Sequence, residues 1–161
     1  RTVILLCEHN EEGSFGLIVN KPVDIKLHDI LKDFPAYDFP VYLGGPVRTD
    51  SLFYLHTLGE KITGSIQVLK GLFWGGELDQ IKELINKKKT APDSIKFFIG
   101  YSGWSSNQLE EELERYSWLV AETGVHELFD NDPNNLWSLL VRSLGKDYAI
   151  WANYPADPAM N

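Results

Sequence analysis

Residues 3–22 read V-I-L-L-C-E-H-N-E-E-G-S-F-G-L-I-V-N-K-P. Two apolar runs, residues 3–7 and 15–19, flank a polar stretch, residues 8–14, that contains one glycine. Short apolar runs on either side of such a stretch predict a β-hairpin. Neither run alternates with polar residues, so both faces of these strands should be covered. That requires helices packed on a sheet, and it makes the hairpin the expected centre of that sheet. Asn20-Lys21-Pro22 ends the second strand, because proline cannot donate to a ladder.

Working outward, a short helix is predicted over residues 26–32, followed by a loop bracketed by Pro35 and Pro40. Val41-Tyr42-Leu43 reads as a strand stopped by Gly44-Gly45-Pro46. Residues 52–55, 66–69 and 72–74 supply further strands, with Gly75-Gly76 ending the run. Leu78, Ile81, Leu84 and Ile85 recur at helical spacing and predict a helix over 77–88. Its end carries Lys87-Lys88-Lys89, where a helix C-terminus favours positive charge. Residues 95–99 form a strand that runs into an apparent turn, Gly100-Tyr101-Ser102-Gly103-Trp104. A helix over 106–115 is predicted to follow, with Ser105 and Gln108 forming a capping box. Its four glutamates place it on the rim. Residues 118–121 read as a short strand, and Tyr148 to Trp151 as a last one. Between them Asp132, Pro133 and Gly145 bracket a helix over 133–144. Strands occur in runs as well as alternating with helices, which indicates a single α+β domain with a mixed sheet.

Composition narrows the function classes. The chain has 161 residues, 43% hydrophobic and 24% charged, which excludes a disordered tail or a collagen-like repeat. Fifteen Lys and Arg against 23 Asp and Glu give a net charge of −8. Such a surface repels phosphate backbones and anionic lipid, so neither direct nucleic-acid binding nor a membrane partner is expected. Cys7 is the only cysteine. No internal disulfide can form, and a reducing cytoplasm is the expected location. No apolar run approaches the roughly 20 residues of a membrane span.

Several constellations invite a chemical reading. Gly100-Tyr101-Ser102-Gly103-Trp104 joins a strand to a helix as a nucleophile elbow does, but Trp104 stands where G-x-S-x-G needs its second glycine. Cys7 and His9 share one face of a strand, yet His28, His56 and His126 form no second cluster to complete a metal site. The amides of Gly75-Gly76 precede a helix, but Glu77 and Asp79 in its first turn oppose an incoming phosphate. His9 and Asn10 lie at one end of the predicted hairpin and Asn20 at the other, roughly 20 Å away at about 3.3 Å per residue. Trp74, Tyr101 and Trp104 stand beside glycine turns and could line a groove.

These blocks taken together resemble the bacterial YqgE/AlgH family. The similarity rests on residues 3–22, V-Y-L-G-G-P-V (41–47), G-L-F-W-G-G-E-L (71–78), G-Y-S-G-W-S-S-N-Q-L-E-E-E-L (100–113), L-W-S-L-L (136–140) and N-Y-P-A-D-P-A-M-N (153–161). The resemblance implies an α+β fold with a mixed, bifurcated and partly barrel-like sheet surrounded by helices. It also implies a further segment before Arg1, so that this chain begins inside the domain. One branch of the family is named as a transcriptional regulator of alginate synthesis, and no catalytic residue carries over. The matching blocks nominate His9, Asn10, Asn20, Gly44, Gly45, Gly75, Gly76, Tyr101, Ser102, Trp104 and Gln108 as a candidate ligand or partner site, with no cofactor and no metal. The expectation is a non-enzymatic protein acting through a protein partner or small ligand and affecting transcription indirectly. The competing expectation is an enzyme with a hydrolase-like site at residues 100–108.

Overall fold

The computed structural model describes residues 1–34 and 39–154. The loop bracketed by Pro35 and Pro40 lies mostly outside them, as do Pro155, Pro158 and most of the closing 153–161 block. Eight strands form the sheet: β1 (Ile4–Asn10), β2 (Gly13–Ile18), β3 (Pro22–Val23), β4 (Val41–Leu43), β5 (Val47–His56), β6 (Ser65–Leu69), β7 (Leu72–Gly75) and β8 (Ile95–Ser105). Six helices accompany them: α1 (Leu27–Ile30), α2 (Leu78–Asn86), α3 (Gln108–Glu114), α4 (Val125–Phe129), α5 (Pro133–Ser143) and α6 (Lys146–Ala149). Among the described residues no helix is long and apolar enough to cross a membrane.

The strand order is β1-β2-β8-β5-β7-β6, and β6 comes back against β1, so the sheet is nearly closed into a barrel. All neighbours on that path are antiparallel, whereas β4 runs parallel to β8 and pairs with β3. The centre is therefore β8, and the expected central hairpin is peripheral: β1 pairs with β2 alone. The reason is in the residues of β8. Phe97 and Phe98 alternate into two separate cores and are both fully buried. Phe98 joins Leu17, Leu55, Leu72, Leu128 and Leu136, under α4 and α5. Phe97 joins Leu27, Phe34, Val41, Ile62 and Ile81, under α1 and α2. Truncating either ring to alanine costs roughly 3–5 kcal/mol.

The sheet forks where β8 bends. Residues 97–99 pair with β4, whereas residues 102–105 pair with β2 on the same side. Gly100 sits at the bend with φ +67°, a conformation that costs an L side chain. Gly44, just past β4, is wedged into the fork. Its N–H donates to the Ile99 carbonyl at 2.8 Å, and its own carbonyl accepts from Ile18 N–H at 2.8 Å. A Cβ on Gly44 would stand 2.2 Å from the Gly100 oxygen, and one on Gly45 2.1 Å from the Tyr101 carbonyl carbon. The glycine motifs thus allow three backbones to meet without side chains between them.

Other elements depart from expectation. The hairpin strands run on to Asn10 and start again at Gly13, because the Asn10 side chain accepts from Glu12 N–H at 2.9 Å and closes a tight turn. The apparent turn at residues 100–104 is strand, since β8 continues to Ser105. Ser105 does not cap α3, whose N-cap is Asn107 at φ +60°. Instead Gln108 reaches back, its Oε1 accepting from Ser105 N–H at 3.0 Å and from Ser105 Oγ at 3.3 Å. Residues 118–121 pair with no strand, and the expected strand over 148–151 is α6 followed by a 3₁₀ turn, Ile150–Asn153. The short helix α4 has no forecast, and the 133–144 helix stands as read: Asp132 accepts from Asn134 N–H at 2.9 Å.

Candidate functional site

At the forked end of the barrel lies an open groove of about 600 Å³. Its floor is aromatic. Phe15 of β2, Phe53 of β5, Trp74 of β7 and Tyr101 of β8 pack against one another with ring centroids 4.8–5.8 Å apart. Strand alternation aims these side chains at one side of the sheet, because β2, β5 and β7 are all brought into register around β8 or its neighbours. Trp104 adds a wall, and Glu8, Asn10, Glu12 and Arg48 form the rim. Arg48 stands at φ +48° in the stretch of β5 that loops away from β8 between Val47 and Leu52. It makes no ion pair among the described residues. The Nε1 of Trp74 is buried without an acceptor among the described residues.

Behind Trp104 stands a polar clasp. The Glu112 carboxylate accepts from Trp118 Nε1 at 2.7 Å, from Gln108 Nε2 at 3.0 Å and from Trp104 Nε1 at 3.1 Å. These N–H donors, Trp118 foremost, hold its carboxyl below the usual carboxylate range. Trp104 and Trp118 meet edge to face at 5.9 Å. A second hollow beside the groove is lined by His9, Asn10, Glu11 and Glu110. There His9 Nδ1 shares a hydrogen bond with Ser14 Oγ at 2.8 Å while Nε2 faces Glu110 at 3.6 Å.

The nominated residues divide into those the fold gathers and those it disperses. Asn10, Tyr101 and Trp104 line the groove, with Trp74 as the aromatic reading anticipated. His9 is in the adjacent hollow, and Gln108 belongs to the clasp. Asn20 lies beyond the end of β2 and does not line the groove; it is buried, accepting from Val3 N–H at 2.8 Å and donating to the Arg1 carbonyl at 3.3 Å. Gly44 and Gly45 belong to the fork. Ser102 does too: it is 6% exposed, and its Oγ donates to the Gly44 carbonyl at 3.3 Å. No histidine approaches it. The four rings bond or face Ser14 and Glu110, Asp29, Gly75 and Leu58, and Asp130. Gly75 and Gly76 turn their carbonyls inward to His56 Nε2, at 3.1 Å, and to the Tyr54 hydroxyl.

Buried titratable groups also lie elsewhere. His56 is fully buried, donating from Nε2 to Gly75 and accepting at Nδ1 from Leu58 N–H at 3.3 Å, and burial lowers its pKa. Lys96 is 7% exposed, with Nζ donating to the Tyr42 hydroxyl at 3.3 Å and lying over the Tyr42 and Phe129 rings. Burial pushes its pKa down to about 8. Cys7 occupies a bulge between Leu6 and Glu8, which interrupts the alternation that would have set it on the His9 face. Burial pushes its thiol up to about 12.

Phe15, Phe53, Arg48, Glu112 and Trp118 escaped the sequence reading as site residues. The one usable signal was the Trp-rich pattern around Gly103, since the partners converge from strands far apart in the chain.

The chain matches a family model described as AlgH-like over residues 1–149. It is 45% identical over 161 residues to a UPF0301 protein of Chlorobaculum parvum, covering all of this chain and 86% of that one. A UPF0301 protein of Bacteroides thetaiotaomicron is 43% identical over 162 residues, with 100% and 82% covered. Among solved structures, the solution structure of the AlgH protein from Pseudomonas aeruginosa aligns with a TM-score of 0.76 at 32% identity, covering 98% of this chain and 86% of that one. The crystal structure of DIP2367 from Corynebacterium diphtheriae aligns at 0.73 with 20% identity, covering 96% and 83%, and shares the fold.

Proposed function

The chain belongs to the AlgH-like family, and on that premise we propose that it is a binding protein, taking a small ligand with a flat apolar body into the groove at the forked end of the barrel. The observation that carries this reading is the convergence of Phe15, Phe53, Trp74, Tyr101 and Trp104 on one open groove, rimmed by the unpaired Arg48. Barrel mouths floored by rings with a few polar groups at the rim are binding sites by geometry. Stacking supplies the affinity, and Arg48, the one cation of a rim that also holds Glu8 and Glu12, offers a contact to an anionic group of the ligand. Ser102, tied to the Gly44 carbonyl and out of reach of every histidine, supports binding over hydrolysis. The single cysteine suits a reducing compartment, the basis for assigning the protein to the cytoplasm. An effect on transcription would then be indirect, because a net charge of −8 opposes DNA contact.

Titration with anilinonaphthalene sulfonate, a flat anionic fluorophore, tests the reading. Saturable binding is expected, weakened about tenfold, or about 1.4 kcal/mol, by Trp104→Ala and by Arg48→Ala. Unsaturable binding, or affinity unchanged in both variants with the fold intact by circular dichroism, would refute it.

A further inference from the structure

Between α3 and α4 the stretch Trp118-Leu119-Val120-Ala121-Glu122-Thr123 runs without turn or bend. Its composition suits a strand, with aromatic, aliphatic and β-branched side chains. From Leu119 to Thr123 no main-chain N–H or C=O bonds another group among the described residues. Two side chains moor the segment: the Trp118 indole, bonded to Glu112 and packed on Trp104, and Ala121, packed against the core under α4 and α5. Beyond that mooring apolar surface faces solvent, with Tyr116 94%, Val120 72% and Leu119 41% exposed. The surrounding charge has one sign. Glu110, Glu111, Glu112 and Glu114 precede the segment and Glu122 lies in it, whereas Arg115, the one cation in residues 107–125, is already paired with Glu111 at 3.5 Å.

We propose that residues 118–123 are an interaction surface for an extended basic segment of a partner protein, which adds to them as a β-strand. An unpaired main-chain edge offers donors and acceptors at the spacing a second strand needs. Alternate apolar side chains of the partner rest against Tyr116 and Val120, and its lysines or arginines meet the glutamates. A second copy of this chain is the poorer occupant, since self-pairing would set Glu122 and the α3 glutamates against their own kind. This surface goes beyond the groove and stands whether or not the groove binds a ligand.

The probe is a fluorescein-labelled peptide, Lys-Val-Lys-Val-Arg-Val-Lys-Thr, followed by anisotropy. Saturable binding is expected that weakens with added salt, with none for the same peptide carrying Glu in place of its cations. Val120→Pro should weaken binding about tenfold while leaving the fold unchanged, because the amide it removes has no partner within the protein. The double change Glu111→Lys and Glu114→Lys should weaken it as much, and that pair decides the matter if the proline variant does not fold. No binding up to about 1 mM, about −4 kcal/mol, would overturn the proposal, as would equal binding of the acidic peptide or affinity unchanged by these substitutions. A concentration-dependent dimer abolished by Val120→Pro would assign the segment to a second copy and equally overturn it.

Discussion

Replacing Gly100 by alanine probes the junction on which the bifurcated sheet depends. Gly100 holds φ +67°, and an ideal Cβ there would lie 2.5 Å from the Gly45 carbonyl oxygen and 2.9 Å from that of Val47. Two costs add. Forcing an L residue into the left-handed region costs about 1–2 kcal/mol. Crowding a methyl against two main-chain oxygens costs about 1–3 kcal/mol more, because backbone must move rather than the end of a side chain. The sum, about 3.5 kcal/mol at mid-range, lowers the Tm of a domain this size by roughly 7–14 °C. Gly75 is the control: its φ is +70°, and nothing lies within 4 Å of an added Cβ. Gly75→Ala should therefore cost about 1–2 kcal/mol, the conformational part alone. Urea unfolding of the three proteins, followed by circular dichroism, separates the two contributions through their midpoints. If Gly100→Ala is no less stable than Gly75→Ala, close backbone approach at the fork is not what the glycines serve.

Ser102→Ala should leave any ester hydrolysis unchanged, and a fluorophosphonate probe should not label the protein; stoichiometric labelling at Ser102 would contradict the buried, carbonyl-bound hydroxyl. Because His56 is buried neutral with its pKa lowered, the unfolded chain takes up a proton that the folded one refuses as pH falls through 6.5. Stability is therefore present above that pH and declines below it, and His56→Gln should flatten the slope of the urea midpoint below about pH 6.5. Lys96 has the same sign in a higher window: folded near 8 and unfolded near 10.5, it makes stability climb with pH between those values. Lys96→Met should remove that climb and stabilise the protein at pH 7 by about 1–2 kcal/mol, and a destabilised variant would show that the ammonium is held for its contacts. Anisotropy with random and promoter duplexes at about 150 mM salt should give no sub-micromolar binding; tight binding that collapses with added salt would reveal a basic surface the charge balance conceals.

Much of the architecture is encoded in near neighbours along the chain. The helix over 133–144 is legible because Asp132, Pro133 and Gly145 act within a turn of the residues they bracket. The non-alternating runs at residues 3–7 and 15–19 announce strands covered on both faces; that cover holds for 15–19, but Leu6 in the first run is 41% exposed, so β1 is covered on one face only. Which strand is central was not legible, because apolarity on both faces is shared by β2 and β8 and only pairing distinguishes them. Residues 118–121 were read as a strand from composition alone. Strand-forming residues make a strand only when another backbone pairs with them, and none does within the described residues.

The candidate site shows the same division. That Trp74, Tyr101 and Trp104 could share a groove follows from aromatic rings beside glycines in the sequence. That Phe15 and Phe53 complete the floor, and that Gly44, Gly45 and Ser102 belong to the fork instead, does not. The Ser102 to Gly44 hydrogen bond spans 58 positions, and β2 meets β8 across more than ninety where Gly13 pairs with Ser105. Local spacing carries no record of such pairings. The sequence by itself determined the helix over 133–144 and most of the strands, the net charge of −8 and the absence of an internal disulfide, because each depends on composition or on contacts within a few residues. Only the tertiary structure decided that one glycine-rich motif builds a junction while its aromatic neighbours face a groove. At Gly100 the backbone bends, and that bend sends successive side chains of one strand to different fates.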